Sequence, residues 1–424
     1  MGSSFLVIGS GASGATVAKE LASQGAEVTV VEKGGMNKLG TSWRALKFYS
    51  GSFGPGEVSA EGIELLRTIM VGGSTVVTLG NGVRALQTEL KDAGVSIDEE
   101  LEEAERELRV TATPKNFFGT RTKILRDSSI ELGYDVKPMP KFVDFKRCRM
   151  CGACVLGCTY GAKWTALNPL GEARRMGAKL IRNAEVEKVL QEGGEVRGAR
   201  IRDASGVHEI DAQKIVLAAG GLGTPPILQR SGLEAGEGFF ADLFVVTYGL
   251  LDKRGMGEEI GMATIIDEFH ENHGFIISPI MDVKLDMLLS FPLSKKSIAF
   301  KRDRLIGLMT KIADDSSGRV LQSGRIEKSA TSNDLKKLEK GIEVSKQILS
   351  QAGAESRSIF VSKIRGAHPG GTAALGKIVN KDFETEVSGL YVCDASILPR
   401  APGSPPVLTI VALAKKLGSK LMAE

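Results

Sequence analysis

The chain has 424 residues, 42% of them hydrophobic and 25% charged, with a formal net charge of +4. That length suits two or three domains with a large core, and the composition is that of a soluble globular protein. Charge this close to balance excludes a general nucleic-acid binder, and no apolar stretch approaches the roughly 20 residues that a membrane span needs.

The chain begins "MGSSFLVIG". No cationic segment precedes the apolar run, so no secretory leader is expected, and Leu6 stands where a myristoylation site needs Ser or Thr. Residues 5–8 read as a buried parallel strand. Gly9, Gly11 and Gly14 follow as G-x-G-x-x-G, then a helix from Ala15 to Ser23, then a second strand from Val28 to Val31 ended by Glu32. Gly9 permits the tight turn, Gly11 lets a pyrophosphate approach the backbone, and Gly14 lets helix and strand pack closely. The helix start offers N–H groups and a positive dipole end to phosphate. Glu32 can accept hydrogen bonds from ribose hydroxyls and disfavours a 2′-phosphate, which argues against NADP. The motif alone leaves FAD and NAD open. No second such motif follows, so a separate NAD(P)H domain is not expected.

From Glu32 to "GSFGPG" at 51–56 the chain is glycine-rich and loop-like. In the segment 65–83, Gly72, Gly73, Ser74 and Thr75 read either as a second backbone cradle or as an ordinary turn. Residues 84–133 read as helical. Their acidic run (Asp92, Glu99, Glu100, Glu102, Glu103, Glu105, Glu107) reads as a solvated helix face. Residues 171–235 alternate short strands with glycine turns and end in an apolar strand, Ile215 to Ala219, then Gly220 and a helix near Pro225. That order suits a sheet edge facing a cofactor. Residues 236–364 hold β-like runs such as "HGFIISPIM" and "RLIGLMTKIAD" and an amphipathic helix around 334–352. The last 60 residues return to strand, turn and helix.

Four of the five cysteines fall in "CRMCGACVLGC", residues 148–158. The spacing C-x2-C-x2-C-x3-C is that of bacterial ferredoxin runs, and Gly152 and Gly157 supply turns. We therefore expect a [4Fe-4S] cluster on Cys148, Cys151, Cys154 and Cys158. Zinc is the main alternative, and a metal-free redox thiol site a third. In two-cluster ferredoxins the fourth cysteine of such a run serves the other cluster, so Cys393 is an alternative fourth ligand, although it reads as buried core. Clustered thiols without a leader argue for a reducing cytoplasm and against a disulfide framework. Of the four histidines, His208 reads as surface, His270 and His273 lack a clear third metal ligand, and His368 precedes a Pro-Gly-Gly turn that lets backbone approach a cofactor. An imidazole there can take a hydroxyl proton near neutral pH.

Five blocks in order resemble the GMC (glucose–methanol–choline) oxidoreductases: the N-terminal fingerprint with Glu32, "GGST" at 72–75, "VLAAGGLGTPPILQRSG" at 216–232, "HPGGT" at 368–372 and "GLYVCDASILP" at 389–399. The resemblance implies an α/β fold whose Rossmann-like FAD-binding domain is assembled from residues 1–84, 165–235 and 365–424. It further implies a sheet-containing substrate domain at 236–364, and leaves 85–164 as a helical and cysteine-cluster insertion. It places Gly72 to Thr75 along the FAD pyrophosphate and flavin, Val186 near the adenine, and Asp394 and Ala395 near the pyrophosphate and ribityl chain. Ala12, Ser13, Lys33, Ala219, Gly220 and Pro406 join Gly9, Gly11, Gly14 and Glu32 as cofactor contacts. His368 matches the family's catalytic histidine. The family's second His or Asn is replaced by Pro405, which has no polar side chain and no N–H. Another family Asn stands here as Thr78, with Asn81 a possible stand-in.

Most familiar members lack a cysteine run, so the expectation is an atypical branch. Such a protein would move hydride between a small-molecule CH–OH substrate and FAD, and single electrons through the cluster to a carrier such as ferredoxin or a partner subunit. The reverse reduction, or an electron-transfer subunit without alcohol chemistry, stays open.

Overall fold

The computed structural model describes residues 4–36, 57–252, 255–284, 287–288 and 291–423. Most of the loop expected between Glu32 and residue 56 lies outside the described residues. Among them, no helix is long and apolar enough to cross a membrane.

Two sheets organise the chain. The first is five-stranded and parallel, in the order Leu390–Val392, Lys214–Leu217, Ser4–Ile8, Glu27–Glu32, Lys179–Arg182. Its strands come from the first, middle and last parts of the sequence. The inner strands are short, largely apolar runs because both faces are covered, as buried parallel strands require, while the edge strand Lys179–Arg182 is more exposed. Helix Ala12–Ser23 buries Ala15, Val17, Ala18 and Leu21 completely. It packs against the C-terminal helix Val407–Ala423 and against helix Leu167–Arg175, which follows the cysteine segment.

The second sheet is built around strands Leu243–Leu250 and Leu305–Ile312, each eight residues long, paired antiparallel over seven residues and buried at every position. Phe275–Pro279 extends it on one side. Arg365–Gly366, Glu64–Leu65 and Glu57–Val58 extend it on the other, and Phe360–Val361 also pairs with the central strand. Helix Ser332–Gln351 covers one face and starts with a capping box, in which the Thr331 side chain accepts from Asp334 N while the Asp334 side chain accepts from Thr331 N. The opposite face looks toward the first sheet.

Residues 84–133 hold three separate helices, Gln87–Asp92, Asp98–Leu108 and Thr120–Glu131. The breaks come at Gly94, which has φ +82°, and around Pro114 and Gly119. The acidic run forms a solvated face, as expected, with each of its carboxylates exposed or half-buried. Leu101, Ala104 and Leu108 turn one face of its helix inward against the C-terminal helix. Lys415, 2% exposed, lies among Glu20, Glu103 and Glu107, each 2.8–2.9 Å from its Nζ. Burial alone would lower the Lys415 pKa, but hydrogen bonds to those three carboxylates raise it above the ordinary lysine value.

Candidate active site

Between the two sheets lies a cavity of about 690 Å3. One end is the glycine turn. Gly9 has φ +106°, and a Cβ there would sit 2.3 Å from Ala218 O; a Cβ on Gly14 would sit 2.1 Å from Gly9 O. These two glycines are required by packing of the protein on itself. Gly11 differs: a Cβ there would meet nothing within 4 Å, because its Cα faces the cavity. Behind it, a Cβ on Gly73 would come 3.0 Å from Gly11 Cα, so the two glycine segments are stacked. Gly72, at φ +91°, begins the 3-10 turn Gly73–Val77, and its N–H donates to Ser10 Oγ at 3.0 Å.

Glu32 ends its strand at the cavity wall. Its carboxylate accepts from Ser10 N (3.0 Å), Ser10 Oγ (2.7 Å) and Gly34 N (2.7 Å). Burial pushes its pKa up, and these bonds oppose the rise. Glu32 therefore closes the turn as well as lining the cavity. Asp394 does similar work from the last part of the chain. It accepts from Gly220 N (2.8 Å), Thr224 Oγ1 (2.6 Å) and Ser396 N (2.7 Å), and burial raises its pKa. Ala12, Ser13, Lys33, Ser74, Thr75, Val186, Ala219, Gly220, Ala395 and Pro406 also line the cavity, whereas Gly14 and Gly72 stand behind its wall. Lys33 carries an exposed ion pair to Glu185 at 2.9 Å. An open backbone cradle at Gly11, a glycine at Gly220 with no protein atom within 4 Å of its Cβ position, and a cavity of this volume together fit a dinucleotide such as FAD.

The other end of the cavity holds His368. Its Nδ1 lies 2.8 Å from Asp242 Oδ2 and 3.1 Å from Lys311 Nζ. Lys311 Nζ lies 3.5 Å from the same carboxylate oxygen, and Asp242 Oδ1 accepts from Gly403 N at 2.8 Å. His368 and Lys311 line the cavity; Asp242, fully buried, stands behind them. Burial lowers the His368 pKa, the Lys311 ammonium lowers it further, and Asp242 opposes both. Burial likewise brings Lys311 down to about 8, against the pull of Asp242. Nearby, Arg365 pairs with Asp282 at 2.9 Å and lies over the Phe244 ring, while Tyr248 OH donates to Asp282 at 2.6 Å.

Asp242, Lys311, Arg365 and Asp282 are not among the residues that sequence reasoning selects. A signal existed for two of them: Asp242 and Lys311 are lone charges in the apolar runs "GFFADLFVV" and "LIGLMTKIA". Pro405 does line the cavity. Asn81 lines it too, but its amide is engaged, accepting from Lys141 Nζ at 2.5 Å and facing Met262 Sδ at 3.1 Å. His270 and His273 have separate partners, Pro402 O and Lys340. His208 is at the surface beside Asp203.

The cysteine segment packs against the glycine cradle. Its 3-10 turn Cys154–Leu156 contacts the turn Gly73–Val77, and Val155 and Leu156 form part of the large cavity's wall. Cys148, Cys151, Cys154 and Cys158 line one small cavity of about 20 Å3 and are all free thiols. Burial raises the pKa of Cys148 and Cys154. Among the described residues, no group of three or more His, Cys, Asp or Glu side chains is placed to hold a metal ion as it stands. Cys393 lies apart, fully buried at the end of a strand of the parallel sheet, its thiol pushed by burial up to about 12.

Two lysines separate the small cavity from the large one. Lys163 Nζ donates to Val76 O (3.0 Å), Cys154 O (3.2 Å) and Thr78 O. Lys141 Nζ donates to Leu79 O (3.0 Å) and Asn81 Oδ1. Neither has a carboxylate partner among the described residues. Burial pulls Lys163 down to about 8 and Lys141 to about 7.

The N-terminal GMC oxidoreductase profile matches residues 3–258, and the C-terminal one residues 314–414. The chain belongs to the GMC oxidoreductase family. As a GMC oxidoreductase it is an FAD-dependent oxidoreductase. It is 31% identical to an uncharacterized protein of Methanocaldococcus jannaschii over 99% of both chains. It is 24% identical to a long-chain-alcohol oxidase of Arabidopsis thaliana, over 98% of this chain and 67% of the other. The fold matches the crystal structure of pyridoxine 4-oxidase from Mesorbium loti with a TM-score of 0.75 at 16% identity, over 100% of this chain and 99% of that one.

Proposed function

We propose that this GMC oxidoreductase acts on the CH–OH group of a small-molecule substrate and exchanges the resulting electrons, one at a time, with a carrier protein such as ferredoxin. The observation that carries the reading is that one cavity has the dinucleotide turn at one end, His368 at the other and the cysteine segment in its wall. The names of the plant alcohol oxidase and the pyridoxine oxidase support an alcohol substrate.

FAD, when bound, supplies the hydride acceptor and converts between two-electron and one-electron chemistry. Gly11, Ser13, Glu32, Gly73 to Thr75, Gly220, Asp394 and Ala395 would hold it. His368 works at the substrate. Its Nδ1 is taken by Asp242, so Nε2 is the nitrogen left to receive the hydroxyl proton, and Asp242 fixes that tautomer in the manner of a Ser-His-Asp triad. Pro405, Met309 and Phe244 add apolar wall beside the charged Lys311, Arg365 and Asp282, which limits the water that reaches His368.

Cys148, Cys151, Cys154 and Cys158 would hold a [4Fe-4S] cluster, which supplies one-electron transfer toward the surface. Three things support this: the spacing of the thiols, their shared cavity, and two buried ammonium groups beside it that have no carboxylate partner among the described residues. An unpaired buried charge costs several kcal/mol, and an anionic thiolate centre is the compensation within reach. Free thiols of this kind suit a reducing compartment such as the cytoplasm.

A second reading is favoured by Pro405: without the family's second polar group, the chain runs as a reductase or as an electron-transfer subunit. Anaerobic purification with flavin, iron and sulfide analysis, EPR after reduction, and a screen of alcohols for flavin bleaching separates these outcomes. Bleaching by an alcohol in the isolated chain supports the first reading, and bleaching only with a partner protein supports the second. An iron content unaffected by Cys151→Ser would remove the cluster from either.

A further inference from the structure

We propose that Lys311 is a positioning residue that keeps His368 a neutral base with its Nε2 lone pair toward the cavity. This rests on the reading of His368 as the base and adds the device that sets its charge.

The argument starts from what Asp242 alone would do. A fully buried carboxylate 2.8 Å from an imidazole Nδ1 favours the imidazolium, and a protonated His368 cannot receive a substrate proton. The structure supplies a second charge at the same point. Lys311 Nζ lies 3.1 Å from Nδ1 and 3.5 Å from the same Asp242 oxygen, so one carboxylate faces two potential cations. Only one of them has its charge balanced by Asp242. With a charged Lys311 as its partner, a positive His368 is repelled at close range in a site with little water to screen it. Asp242 still accepts the Nδ1–H, and so holds the tautomer that leaves Nε2 bare. His368 Nε2 makes no hydrogen bond among the described residues, and the ring lines the cavity.

Other charges stand nearby: Arg365 and Asp282, paired at 2.9 Å, Glu64 in register beside Arg365 on the cavity wall, and Asp314, paired with Lys328, behind Asp242. The cations among them each have a carboxylate partner of their own. His270 lies behind, bonded to Pro402 O. Lys311 is therefore the one group near His368, among the described residues, whose charge opposes Asp242. It stands in a strand that is apolar on both sides of it, where a lysine is costly unless it has a task.

The test needs no substrate, because the chain has only four histidines. Flavin-loaded protein with 13C,15N-labelled histidine is titrated by NMR, and His368 is assigned with His368→Asn. In the wild type at pH 7 the expected form is neutral with the proton on Nδ1; a neutral ring protonated on Nε2 overturns the proposal even if no variant folds. Lys311→Met should move the His368 midpoint up, Lys311→Arg should keep it near wild type, and Asp242→Asn should move it down. A midpoint that stays put or falls in a folded, flavin-bound Lys311→Met protein overturns it. If these shifts occur while His368→Asn leaves alcohol-driven flavin bleaching intact, the base reading fails and the Lys311 effect stands.

Discussion

Lys163 and Cys154 join the two chemical regions of this molecule: Lys163 Nζ donates to Cys154 O at 3.2 Å while donating to Val76 O, in the glycine cradle, at 3.0 Å. The cysteine segment is thereby tied to the wall of the large cavity through one ammonium group. Lys163→Met takes the donor from Val76 O and Thr78 O, while Cys154 O keeps Gly157 N at 3.1 Å, at roughly 1–3 kcal/mol for an unsatisfied group. The expected result is a lower melting temperature and faster alkylation of the cysteines, with flavin still bound. Flavin content, thermal melts and iodoacetamide labelling read these together, and unchanged labelling would show that the lysine does not hold the segment.

The glycines of the fingerprint should separate by role. Gly14→Ala places a methyl 2.1 Å from Gly9 O, so it should unfold or severely destabilise the chain. Gly11→Ala meets no protein atom, so the flavin-free protein should melt within a few degrees of wild type. Its affinity for FAD should fall by about tenfold or more, since 1.4 kcal/mol of lost contact is a factor of ten. Melts with and without added FAD decide the matter; equal behaviour of the two variants would contradict the assignment of Gly11 to the cofactor.

His368→Asn should retain flavin, because Asp242 and Lys311 can still pair at 3.5 Å. Alcohol-driven flavin reduction should fall by about 10²–10⁴-fold, the usual worth of a general base. Stopped-flow bleaching with the best alcohol from the screen measures it. A drop of less than about threefold would place the base elsewhere.

Stability against pH carries a separate signature at Asp314. Burial raises its pKa to about 6, even though Lys328 lies 2.7 Å away and pulls it down. The folded state then binds a proton more readily than the unfolded chain between pH about 4 and about 6, so this group adds stability as pH falls through that window. Relative to Asp314→Asn, the wild type should gain up to about 3 kcal/mol between pH 6 and 4. Denaturant melts at the two pH values test it, and a difference that shrinks as pH falls would reverse the sign.

The parts of this protein that a local pattern specifies are legible in the sequence itself. Strand, glycine turn, helix and acidic residue run consecutively in residues 4–32, and each element's reason lies in its own neighbours. The spacing of the cysteine run matches the convergence of its four thiols on one small cavity, although no group among the described residues is placed to hold a metal as it stands. Asp242, Lys311 and His368 are harder to find together, because they come from three places far apart in the chain and only the second sheet brings them to one point. The acidic run is a solvated face as its composition suggests, but its pairing with Lys415 of the helix Val407–Ala423 is invisible to local pattern. Lys141 and Lys163 likewise look like ordinary surface lysines in sequence, and only tertiary packing turns them into buried cations.

The strand order of the parallel sheet has a consequence for biosynthesis. The dinucleotide turn is synthesised long before the strand Leu390–Val392 and the helix Val407–Ala423 that complete its surroundings. Asp394, which anchors Gly220, belongs to that late segment. The nascent chain therefore keeps an apolar sheet edge uncovered until that segment has been made, and removing the segment would cost cofactor binding as much as stability.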